Sequence, residues 1–284
     1  METYYRLLPL FDILLIVSLI LLAMGLFGKK RESKLVSAGE FLFGLFWLTQ
    51  APLNYLESTI DFALFSLGAF AFFTLLALRQ WTGNVTDRVF RFPAMAALVT
   101  SLLYFPFVKV PALSLLIIYL VAFQTVWWIN VFSPGFSVGP AQWEGSQWWY
   151  ATATVPPQEV SVSILSYGEP SGIGIIVACT GIEVIVLFFG IVMASWAPQK
   201  RRAMFLAISI PAIHILNLFR NGMILHVVVK KGWDFEFAHT YVAFTLSLVA
   251  IAILAVFGFN YLPRLHREIL DTAYFVVTGK KNQL

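Results

Sequence analysis

Apolar runs about the length of a bilayer crossing recur along almost the whole chain, and they leave few folds open. Candidate helices cover residues 7–27, 38–56, 60–78, 92–108, 111–132, 172–195, 203–228 and 238–260. Each but the fourth approaches or exceeds the roughly 20 residues needed to cross a hydrocarbon core. Lipid offers no partner to an open backbone group, so a spanning segment must be a helix or belong to a closed barrel. These runs are too long and too continuous for the alternating strands of a barrel. The expected fold is therefore all-α, a polytopic membrane helix bundle. Composition agrees, with 59% hydrophobic and 12% charged residues and a mean hydropathy of +0.80. A soluble domain is nearer half apolar and a quarter charged. The first run begins six residues in, and no small-residue cleavage site follows it. It is read as a retained span rather than a signal peptide.

The basic residues orient the spans. Lys29, Lys30, Arg31 and Lys34 follow the first run, Arg79, Arg88 and Arg91 the third, and Lys200, Arg201 and Arg202 the sixth. With Arg264, Arg267, Lys280 and Lys281 in the tail, these groups hold 14 of the 19 lysines and arginines. By the positive-inside rule they are cytoplasmic, which places the N-terminus outside and the C-terminus in the cytoplasm. The formal charge of +4 follows from these clusters, and no nucleic-acid partner is expected. Residues 92–132 must then cross an odd number of times, although FPFVKVP at 105–111 divides them into two apolar runs. The reading is seven transmembrane helices plus one apolar segment that lies at the outer interface or re-enters. Eight crossings are the alternative.

The longest non-helical stretch, residues 133–171, has no lysine or arginine and is expected to be a Trp-rich extracytoplasmic loop. It holds Trp143, Trp148, Trp149 and Tyr150, three glutamates and five prolines, and residues 159–167 show some β-like alternation. A loop this long is usually functional or disordered. Its aromatics suit either a lid that grips substrate at the outer leaflet or an interfacial anchor. The whole chain, 1–284, is read as a single integral membrane domain, with this loop followed by catalytic helices at 172–260.

Three residues in that last part could carry chemistry. Cys179, in SGIGIIVACTGIEVIVLFFGIVMASW at 171–196, is the single cysteine, which excludes an intramolecular disulfide and a cysteine-based metal cluster. On a helix starting near 172 it would lie roughly 10 Å below the outer end. A thiol in apolar surroundings is inert and behaves as a small hydrophobe unless a cation or hydrogen-bond donor is near. Arg220, in IPAIHILNLFRNGMILHVV at 210–228, would lie at a similar depth, roughly 12 Å from the same surface. Placing an arginine there costs at least about 2.5 kcal/mol, so a functional partner is expected. Asn217 and Asn221 give its helix a polar wall. His239, in KKGWDFEFAHTYVAF at 230–244, opens the last helix at the same side and can accept a thiol proton. His226 is a weaker choice, His214 reads as a satisfied core histidine, and His266 lies on the cytoplasmic side. Thiol, guanidinium and imidazole thus converge on one leaflet. Cys179 would attack a carbonyl, His239 would maintain the thiolate and Arg220 would stabilise the oxyanion. No HExxH pattern or ligand spacing is present, so neither metal nor cofactor is expected.

The segments ACTGIE at 178–183, NLFRNG at 217–222 and FEFAH at 235–239 resemble the exosortase/archaeosortase family, and its archaeosortase A branch most closely. The resemblance implies a multi-pass transpeptidase with Cys–Arg–His chemistry on the outer face, carried by Cys179, Arg220 and His239. Its partners would be membrane-anchored surface proteins with a C-terminal motif, a transmembrane segment and a basic tail. For this branch the motif is Pro-Gly-Phe, and cleavage is linked to attachment of a membrane lipid. An arginine is the alternative third residue, which here would be Arg264. It lies 25 residues beyond His239, about 37 Å along a continuous helix, and one static site cannot hold both; His239 is preferred. Two rivals remain at this stage: a thiol protease that only hydrolyses, and an anion or small-molecule transporter that uses Arg220 for binding. No inverted repeat of the transporter kind is visible.

Overall fold

The computed structural model describes residues 2–28, 33–56, 60–82, 87–142 and 160–280. Helices dominate. They are α1 (Glu2–Phe27), α2 (Ser33–Leu56), α3 (Ile60–Thr82), α4 (Asp87–Lys109), α5 (Pro111–Phe132), α6 (Ile182–Ala194), α7 (Gln199–Leu225), α8 (Phe244–Tyr261) and α9 (Pro263–Thr278). Between α5 and α6 lie three strands, β1 (Phe136–Gln142), β2 (Ser161–Ser166) and β3 (Glu169–Ile176), then a 3₁₀ turn at Val177–Thr180. Six helices among the described residues are long and apolar enough to cross a membrane, as expected of a polytopic bundle. The chain separates into two compact units, one of Met1–Ser101, Gly190–Ala197 and Pro263–Leu284, the other of Leu102–Phe189 and Pro198–Leu262.

In the first unit, α2 packs along both α1 and α3. The tail is not loose chain. Its helix α9 buries Leu265, Glu268, Thr272, Phe275 and Val276, a stripe at helical spacing, and Phe275 and Val276 join Leu76 and Val89 in one apolar cluster.

In the second unit, FPFVKVP forms a junction between two helices. Pro111 has no N–H, so the Phe107 carbonyl four residues earlier loses its helical donor. The Ser114 hydroxyl supplies one at 2.5 Å, and the single extended residue Val110 separates α4 from α5. One face of α5 (Ile118, Val121, Ala122, Val126 and Ile129) forms a core with Phe136, Val162, Ile164 and Ile175 of the sheet and Leu225 of α7. Its opposite face exposes Leu116, Leu120, Phe123, Trp127 and Val131, as a helix apolar on all sides does in lipid.

The sheet has the order β1-β2-β3, with both pairs antiparallel. Asn130 starts it by exchanging two hydrogen bonds with Phe136, donating to its carbonyl at 2.8 Å and accepting from its N–H at 3.0 Å. Tyr167 and Gly168 join β2 to β3 with φ of 53° and 85°, the two-residue turn whose positive φ values match strand twist. The alternation expected at 159–167 coincides with β2. The helix expected at 172–195 is shorter than the apolar run. Residues 172–176 complete β3, and α6 begins only at Ile182 with 13 residues. That is about 20 Å of helix, less than the roughly 30 Å of a hydrocarbon core. The aromatic cluster Trp143, Trp148, Trp149 and Tyr150 lies outside the described residues.

Candidate active site

Cys179 is carried by the 3₁₀ turn rather than by a spanning helix, so the depth of 10 Å along a helix does not apply to it. Isoleucine and valine suit strand and buried helix alike, and here glycines decide. Gly181 caps the turn with φ of 72°, in the left-handed region open to glycine. A Cβ there would also come within 3.0 Å of Asn217 Cγ. Thr180 braces the turn: its hydroxyl donates to the Val177 carbonyl at 2.6 Å and accepts from the Ile182 N–H at 3.3 Å.

Two asparagines one turn apart on α7 hold the cysteine backbone. The Nδ2 atoms of Asn217 and Asn221 both donate to the Cys179 carbonyl, each at 2.8 Å. Both asparagines are buried, and burial of a polar group is costly unless it is hydrogen-bonded. The pair therefore fixes the turn to α7. The polar wall was visible in the sequence, but its partner was not, because a carbonyl leaves no mark there.

Arg220 projects from the same helix. Its Nη1 lies 3.4 Å from Asn217 Oδ1 and its Nη2 lies 3.1 Å from His239 Nε2. Its Nε is buried without a hydrogen-bond partner among the described residues. A guanidinium only donates, so in this contact Nε2 is the acceptor and the ring proton sits on Nδ1. His239 lies in a π-helical turn, Phe237–Ala243, that leads into α8. Single π turns inside α-helices frequently mark functional sites. Asp234 Oδ1 accepts from the Phe237 N–H at 2.8 Å and starts that helix. The Phe235 ring stacks on the imidazole, with centroids 5.3 Å apart and planes inclined by 17°.

Cys179, Arg220 and His239 line one cleft, together with Asn221, Ile173, Gly174, Ile175, Ile224, Leu225 and Phe235. The three residues proposed from sequence thus come from three separate elements onto one surface. The others lie elsewhere. His214 Nε2 contacts Gln124 Oε1 at 2.8 Å, as a satisfied core histidine would. His226 opens the π turn that ends α7. His266 and Arg264 are on α9 in the other unit, where Arg264 Nη1 donates to the Trp196 carbonyl at 3.2 Å. Glu183, beyond the turn, accepts from the Tyr104 hydroxyl at 2.6 Å. Among the described residues no three His, Cys, Asp or Glu side chains are grouped as metal ligands.

The family model described as Transmembrane exosortase (Exosortase_EpsH) matches residues 9–257. That span contains Cys179, Arg220 and His239 and ends before Arg264. Archaeosortase A of Haloferax volcanii is 27% identical over 296 aligned positions, which cover 90% of this chain and 90% of that protein. No solved structure matches.

Proposed function

We propose that this chain, which belongs to the transmembrane exosortase family, is a membrane cysteine transpeptidase. It cleaves a C-terminal Pro-Gly-Phe-type sorting signal of surface proteins and passes the new C-terminus to a membrane lipid. The observation that carries this reading is the convergence of Cys179, Arg220 and His239 on one cleft, with the arginine already in contact with the histidine.

The Cys179 thiolate attacks the scissile carbonyl. The C–S bond forms, and the carbonyl electrons move to oxygen as an oxyanion, towards which Arg220 donates. Collapse of the intermediate breaks the C–N bond. The leaving amine takes the proton that His239 received from the thiol. At rest His239 Nε2 accepts from Arg220, so this base action needs Arg220 to leave the histidine for the substrate's carbonyl oxygen as the substrate binds, before the thiol gives up its proton. A lipid amine or hydroxyl then attacks the thioester, loses its proton to His239 and releases the thiolate. The double hold on the Cys179 carbonyl keeps the nucleophile in place through both steps.

The distribution of Lys and Arg supports an N-terminus outside, a cytoplasmic C-terminus and a site that faces the outer side. A substrate with its own span and basic tail would insert in the same sense and present its motif at that level.

The test is reconstitution of the full chain in liposomes with a substrate that carries Pro-Gly-Phe, an apolar span and a basic tail, with both fragments weighed by mass spectrometry. An N-terminal fragment that carries a lipid mass is the expected product. A free acid under every lipid composition tried would make the protein a hydrolase, and undiminished cleavage by Cys179→Ala would end the thiol mechanism.

A further inference from the structure

We propose that the extended residues of the substrate ahead of the scissile bond add as a strand to the edge of β3 that faces away from β2, which guides the carbonyl to Cys179. This rests on the transpeptidase reading and names how that site takes its substrate.

Three observations point to it. The sheet order β1-β2-β3 leaves β3 with a strand on one side only among the described residues. The chain then runs from Ile176 directly into the turn that bears Cys179, so a peptide that follows this edge is aimed at the thiol. Second, Ile173, Gly174 and Ile175 of β3 line the same cleft as Cys179, Arg220 and His239. Third, Gly174 is a glycine that its own fold does not require. Its φ lies outside the left-handed region, and a Cβ there would meet nothing closer than Ser161 Cβ and the Val162 carbonyl, both at 3.7 Å. Gly181, by contrast, has a φ of 72° and its Cβ would reach Asn217 at 3.0 Å. A glycine inside a strand weakens it, and commonly marks a place where a ligand or a second backbone approaches closely.

The chemistry of the occupant fits. A peptide must be extended for its amide to be attacked, and its backbone N–H and C=O groups need partners once they leave water. A sheet edge supplies those partners through the main chain, the strand-addition mode of peptide recognition. Strand groups alternate in direction along Gly174–Ile176, the stretch next to the turn that pairs in regular register with Ser161–Ser163, so only every second residue added beside it would bond to β3.

The test uses the full chain in liposomes and a synthetic substrate of Pro-Gly-Phe motif, apolar span and basic tail. One peptide N–H at a time is N-methylated along the segment ahead of the cleavage position. Loss of one backbone hydrogen bond should slow cleavage about tenfold at every second residue and by less than about twofold at those between. Gly174→Val should raise KM about tenfold with little change in kcat, as expected for lost ground-state binding. Labelling of Cys179 by a small thiol reagent should stay at the parent rate, which shows the fold intact. If that labelling changes, the methylation series decides, since it leaves the protein untouched. Cys179-dependent cleavage without alternation in the series overturns strand addition and leaves the transpeptidase standing. No cleavage of the unmodified substrate, or cleavage that survives Cys179→Ala, overturns the transpeptidase reading and this inference with it.

Discussion

Arg220 is half-buried on α7 and reaches Asn217 and His239, whereas Arg264 is exposed in the first turn of α9 and donates to the Trp196 carbonyl. Both are cations in a chain with little charge, but they answer to different physics. A surface arginine keeps most of its hydration, and its contact is typically worth little. An arginine inside an apolar unit has lost hydration and must be compensated by fixed partners. Arg220 has two at its terminal nitrogens, while its Nε has none among the described residues. The difference teaches where to look for chemistry: at the cation whose position costs most and whose partners are themselves held in place.

The largest effects should separate the two arginines. Arg220→Ala should lower the cleavage rate in liposomes about a hundred- to a thousandfold, the range seen when one oxyanion donor is removed. Arg264→Ala should stay within about twofold, as for surface changes away from a site. The reverse ranking, read from initial rates, would move the site to α9. Next in size, His239→Gln should cost about a hundredfold, the lower part of the range for a positioned base. The pH profile of kcat/KM should lose a limb in this variant, and a parent-like profile would remove His239 from proton transfer.

Smaller losses are expected around the cysteine carbonyl. Asn217→Ala or Asn221→Ala alone should cost about tenfold, since one amide still donates to Cys179 and a hydrogen bond is worth about 1 kcal/mol net. The double variant should lose more than the product of the two, because the carbonyl is then unheld. Strict additivity in that cycle would argue against a shared role. Gly181→Ala places a side chain at φ of 72° and 3.0 Å from Asn217 Cγ. It should lower stability by about 1–2 kcal/mol and reduce activity further by displacing Asn217. Thermal unfolding beside rates separates the two parts.

Much of this molecule can be read from its sequence for one reason: lipid forces a long apolar run into a helix. The runs at 7–27, 60–78 and 111–132 lie within α1, α3 and α5. Cys179, Arg220 and His239 could be grouped because each is an unusual residue in such a chain, and helical rise turns position into depth. The three do line one cleft, but Cys179 stands on a different element from the one its depth was reckoned along. IGIIVAC reads as the start of a spanning helix, yet it is the end of β3 and a 3₁₀ turn. The signal was Gly172 and Gly181, whose φ values of 78° and 72° are incompatible with a continuous helix. A run of isoleucine and valine carries no periodicity that excludes either form. The hold of Asn217 and Asn221 on a backbone carbonyl could not be seen at all, because acceptors of that kind belong to every residue. The amphipathic α9 is readable from the spacing of Leu265, Phe275 and Val276, which it buries.

The central claim is that Cys179 takes the substrate as an acyl group in a cleft shared with Arg220 and His239. The direct measurement is the mass of the full chain after acid quench of the reconstituted reaction, with the modified peptide then mapped. An increment equal to the N-terminal substrate fragment, located on the peptide that contains Cys179 and removed by hydroxylamine, is the predicted result. It should be strongly reduced in Arg220→Ala and unchanged in Arg264→Ala. Turnover without any such increment under rapid quench, or an increment that persists in Cys179→Ala, would contradict the account.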